Sequence, residues 1–68
     1  MSVREGDQVR LLEDLVGIMG HHVPAGTIGT IVDDVNAPAH YALDVQVDDA
    51  YDNVAVSPDQ FEALPETP

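Results

Sequence analysis

The stretch from residue 41 to residue 48 alternates without interruption: Tyr41, Leu43, Val45 and Val47 interleave with Ala42, Asp44, Gln46 and Asp48. A period of two sends successive side chains to opposite faces of an extended chain. The segment therefore reads as a β-strand with one face in a core and the other in water. Valine, with ten copies, is the commonest residue. Its branched Cβ loses rotamer freedom in a helix and packs well on a pleated surface, so the whole chain leans towards sheet.

The flanking segments follow from the same signals. Gly6-Asp7 is a turn into a strand from Gln8 to Glu13, with Val9 and Leu11 on one face and Arg10 and Leu12 on the other. Asp14 to Ala25 reads as a long irregular loop punctuated by Gly17, Gly20 and Pro24. Its Leu15, Val16, Ile18, Met19 and Val23 are too apolar for a solvated loop, so it is expected to fold back and cap an open end of the core. Ala25-Gly26 turns into a strand from Thr27 to Val35, with a bend or bulge expected at Gly29. Asn36 to Ala39 is a turn, Asp49 to Asn53 a hairpin connection, and Asn53 to Val56 a fourth strand with Val54 and Val56 inward. Ser57-Pro58-Asp59-Gln60 has a hydroxyl cap followed by proline, which predicts a single 3₁₀ turn ahead of a last strand from Phe61 to Leu64.

That order predicts an all-β fold: a small SH3-like five-stranded barrel with a long first loop and a 3₁₀ turn before the last strand. An OB-like barrel would need a helix between the third and fourth strands, and Asp49 to Asn53 leaves no room for one. A chain of 68 residues reads as one domain, residues 1–68, with its core in 6–64 and flexible ends at 1–5 and 65–68.

Two arginines, no lysine and thirteen acids give a net charge of −11. Phosphate backbones and anionic lipid surfaces are bound by clustered Lys and Arg, so nucleic acid and membrane are both unsuitable partners. No apolar run is long enough to span a bilayer, and no basic-then-apolar leader is present. The absence of cysteine excludes a disulfide framework and a thiolate zinc site. These features point to a cytoplasmic protein of bacterial type. Self-repulsion among the acids lowers stability, and salt is expected to relieve part of it.

Three groups of residues could carry chemistry. His21, His22 and His40 are the only nitrogen ligands; adjacent histidines on an extended segment point opposite ways, so at most one of the pair could join His40, with Asp33 or Asp34, in a mixed imidazole–carboxylate metal site. A dedicated site needs three or four converging ligands, so surface histidines with no resident metal or other cofactor are the expectation. Asp48, Asp49 and Asp52 around Tyr51 resemble part of a calcium loop but lack its central glycine and its terminal bidentate Glu. The same four residues also have the composition of an acidic recognition patch with one aromatic anchor. Ser57 is spoken for as a cap and sits in no nucleophile elbow, and a chain this short has little room to enclose a substrate. Catalysis is not expected.

Gly6 to Leu15, Ala25 to Val32, Tyr41 to Asp48, and Asp59-Gln60-Phe61 together resemble a group of small bacterial SH3-like barrel proteins known only as a domain of unknown function. The resemblance spans residues 5 to 64, and the Gly17 to Val23 stretch looks like a local elaboration of it. Toxin–antitoxin and immunity settings occur in that group, which implies a binding role. The Gly26-x-x-Gly29 turn region and the strand before the final turn are also similar to the SH3-like domain of the nitrile hydratase β subunit. No arginine here matches the ones that serve its active site.

The leading expectation is a non-catalytic protein-interaction module for a basic protein partner, including an immunity- or antitoxin-like inhibitor. Its contact surface would combine Asp48, Asp49, Tyr51 and Asp52 with Ile18 and Met19. Two other roles fit the same residues: an accessory or β-like subunit domain of a nitrile-hydratase-type metalloenzyme, and an acidic DNA mimic.

Overall fold

Among the residues described by the computed structural model, 3–37 and 39–65, seven strands form. They are β1 (Gln8–Leu11), β2 (Leu15–Val16), β3 (His22–Val23), β4 (Ile28–Asp33), β5 (Tyr41–Val47), β6 (Ala50–Val56) and β7 (Phe61–Ala63), with a 3₁₀ turn at Pro58–Gln60 ahead of β7. Five make one antiparallel sheet in the order β6-β5-β4-β1-β7, and β2 pairs with β3 as a separate hairpin. The expected all-β class is observed. No helix among the described residues is long and apolar enough to cross a membrane.

Period-two alternation decides what each strand buries. Val9 and Leu11 of β1, Ile31 of β4, Tyr41, Leu43 and Val45 of β5, Val54 and Val56 of β6, Phe61 of β7 and Val23 of β3 form one core. In a flat sheet, three strand spacings of about 4.8 Å would hold β5 and β7 roughly 14 Å apart. Instead the Tyr41 and Phe61 rings meet edge to face with centroids 5.5 Å apart. The sheet therefore curls over its own core, bringing its fifth strand, β7, towards its second, β5.

Several expectations change in detail. The long first loop is not irregular: β2 and β3 make it a hairpin, with Val23 in the core and Leu15 packed against it. It caps the core only through those two residues, because Val16, Ile18 and Met19 remain exposed. The irregularity in β4 lies at Val32, where the register against β5 shifts between Ile31 and Asp33, and not at Gly29. Gly29 stays in register because it is covered: a Cβ there would stand 2.8 Å from Val45 Cγ1 and 3.1 Å from the Asp44 carbonyl oxygen. The β5–β6 connection is only Asp48-Asp49, since Val47 already pairs with Ala50. Asp48 takes a positive φ of 56°, a conformation that aspartate tolerates better than most residues. Ser57 and Gln60 form a capping box at the 3₁₀ turn, in which the Gln60 side-chain oxygen accepts from the Ser57 N–H at 2.8 Å, while the Ser57 hydroxyl also donates to the Asp59 carboxylate.

Of the ends expected to be flexible, residues 3–5 are tied down. Val3 packs on the core, the Arg4 N–H donates to Asp7 and the Glu5 N–H donates to Asp34. Residues 1–2 and 66–68, and Pro38 in the turn after β4, lie outside the described residues.

Gly29→Ala is expected to destabilise the chain by about 1–3 kcal/mol, the usual cost of forcing a methyl group into a packed interior. Urea denaturation should show a lower midpoint at an unchanged slope.

Candidate functional site

Counting back in twos from Val56 and Val54 places Asp52 on the core side of β6, opposite Val45. Its side chain is fully withdrawn from solvent. A buried carboxylate is costly unless its oxygens find donors, and here each oxygen finds two. Oδ1 accepts from the Met19 N–H at 3.0 Å and from the Asn53 N–H at 2.7 Å. Oδ2 accepts from the His21 N–H at 3.2 Å and contacts His21 Nδ1 at 2.9 Å. An ionised carboxylate can only accept, so Nδ1 carries the proton in this pair.

The electrostatics follow. Burial pushes the Asp52 carboxyl upward, but the bonds from Met19 N–H, the His21 ring, Asn53 N–H and His21 N–H outweigh it. The net result is a pKa lowered from 3.8 to about 2.

Three of the four donors come from the tip of the β2–β3 hairpin, residues 17–21, and the fourth is the Asn53 N–H of β6 itself. Three further backbone bonds hold the tip: Gly17 N–H to the His21 carbonyl, Gly20 N–H to the Gly17 carbonyl, and Ile18 N–H to the Asn53 carbonyl on the edge of β6. Gly17 lies so close beneath that a Cβ there would run into the Asp52 carboxylate. The tip is thus fixed to the edge strand of the sheet by one acid and one main-chain bond.

What the fixed backbone presents is apolar. Val16, Ile18 and Met19 are 67%, 78% and 71% exposed, and Tyr51 on the outward face of β6 is 63% exposed. Asp48 and Asp49 project from the adjacent two-residue turn, exposed. Of the six residues expected to share a contact surface, the structure leaves Ile18, Met19, Asp48, Asp49 and Tyr51 in solvent and takes Asp52 out of it. Asp52 is a structural anchor below that surface, and this also removes it from any calcium loop with Asp48 and Asp49. Val16 is the exposed residue the sequence reading left out.

The histidines diverge. His21 turns to Asp52, His22 points across the hairpin to Asp14 with Nε2 3.7 Å from Oδ2, and His40 stands exposed ahead of β5. Among the described residues no three His, Cys, Asp or Glu side chains converge as metal ligands would. The His22–Asp14 pair is two-thirds exposed at both ends and contributes little to stability. The same holds for Arg10 and Glu62, cross-strand partners on β1 and β7 at 3.3 Å.

No protein-family model, no curated protein and no solved structure matches the chain.

The sign of the pH dependence is fixed by Asp52. Between pH 3.8 and about 2 the folded carboxyl stays ionised while the unfolded one takes up a proton. Its contribution is therefore complete above about pH 4 and is lost as pH falls through about 2. The difference in urea midpoint between the native chain and Asp52→Asn should narrow from pH 5 to pH 2, as the Asp52 contribution is lost. A difference that stays constant across that range would refute the assignment.

Proposed function

We propose that the chain is a non-catalytic, SH3-like interaction module of the cytoplasm that docks a basic protein segment. The docking surface is the β2–β3 tip together with the β5–β6 turn. The observation that carries this reading is an apolar tip, Val16, Ile18 and Met19, exposed although its backbone is held in one conformation by Asp52 and Asn53. Single exposed apolar residues are ordinary. Three within four positions on an immobilised turn are costly to leave in water and inexpensive to bind, because the ordering entropy is spent before a partner arrives.

Charge selects the occupant. With −11 overall and Asp48 and Asp49 exposed in the β5–β6 turn, the surface repels acidic chains and draws in cationic ones, raising the association rate. A segment with Lys or Arg flanking aliphatic or aromatic side chains complements both features. Inhibition of a basic enzyme, in the manner of an immunity protein or antitoxin, is one use of such a surface. The SH3-like part of the reading is supported by the strand order, the curl that brings Tyr41 to Phe61, and the 3₁₀ turn ahead of the last strand.

Selection of binders from an unbiased peptide library on the immobilised chain tests the reading. Peptides combining Lys or Arg with apolar residues should be enriched. Their affinity should drop at least tenfold with Ile18→Asp or Met19→Asp, and should weaken between 0.05 and 0.5 M salt. Enrichment of peptides without cationic residues, or equal binding by both variants, overturns it.

A further inference from the structure

The five-stranded sheet and the hairpin tip are held by different physics. The sheet buries the core and pairs strand to strand, whereas residues 17–21 bury no large side chain of their own. Their attachment is the Ile18 N–H bond to the Asn53 carbonyl plus the bonds donated to one carboxylate. We propose that Asp52 is a latch: its ionised carboxylate holds the tip of the β2–β3 hairpin on β6, and protonating or neutralising it frees the tip as a unit while the five-stranded sheet stays folded. This inference does not rest on the docking reading, because it concerns the attachment of the tip whatever binds there.

The surroundings of Asp52 make the latch specific. From the hairpin, the titratable side chain that faces it is His21. From β5 its cross-strand partner is Val45, which does not titrate, and along β6 its neighbours are Tyr51 and Asn53. The nearest acids in sequence, Asp48 and Asp49, are exposed in the turn. No lysine exists in the chain, so backbone amides and one imidazole replace the usual cationic partner. Protonation turns one Asp52 oxygen into an O–H donor, so four donors are left with a single neutral acceptor oxygen between them.

Acidification then acts with opposite sign on the two parts. Protonating carboxylates reduces the repulsion implied by −11, which favours the compact sheet, yet a proton on Asp52 removes its charge and turns one of the two accepting oxygens into a donor. A general loss of stability would weaken both parts together, whereas a latch separates them.

Amide hydrogen exchange by NMR on the full chain is the test. In Asp52→Asn, protection of the Ile18, Met19 and His21 amides should fall at least tenfold relative to native, while the Ile31, Leu43 and Val45 amides change less than threefold. In the native chain taken from pH 5 to pH 2.5, with rates corrected for intrinsic exchange, the tip should lose protection as the sheet keeps or gains it. The acid series needs no variant and decides the matter if Asp52→Asn does not fold. Equal loss at tip and sheet, or an unaltered tip, overturns the latch.

Discussion

A single buried carboxylate with four donors joins the two parts of this fold. Asp52 stands in a row of inward β6 positions otherwise filled by small and branched apolar side chains, and its desolvation is tolerable only because Met19, His21 and Asn53 turn N–H groups onto it. Without those donors the acid would have to leave the interior, and without the acid the hairpin amides would lose their acceptor. The exposed tip, the close approach of Gly17 and the fixed tautomer of His21 all follow from that mutual dependence.

The same solution recurs across the molecule. A chain with thirteen acids and two arginines cannot neutralise its carboxylates with cations. It uses backbone amides instead: Arg4 N–H to Asp7, Glu5 N–H to Asp34, Ala25 N–H to Asp14 and Val35 N–H to Asp33. Each of these bonds fixes a turn or a chain end, so the acids organise connections between strands while the valines organise the strands. Part of the −11 that looks like surplus charge is employed in local geometry, while Asp48 and Asp49 stand exposed in the β5–β6 turn.

Alternation made the inward faces of β1 and β5 readable, because a half-buried strand writes its burial into the sequence at every second position. The 3₁₀ turn was readable from Ser57-Pro58, although the hydroxyl's actual partner, Asp59, was not. The hairpin inside the first loop was not legible: strands of two residues are too short to show a period, and their pairing depends on where Val23 finds the core. Asp52 was misplaced for a different reason. Three acids around a tyrosine look like a solvated turn, and that local composition obscured the parity that runs back from Val56 through Val54 to residue 52. The candidate surface was therefore legible in its exposed members, and the residue that positions it was hidden among them.

Gly17 and Asp52 are distant in the chain, yet each occupies space the other requires. A side chain at 17 evicts the carboxylate, and a larger group at 52 meets the glycine backbone. Among diverging descendants of this sequence, neither position can drift alone. The pair should be inherited or lost jointly, as a linked trait whose members are individually intolerant of change, while the exposed residues at 16, 18 and 19 are free to vary with whatever they meet.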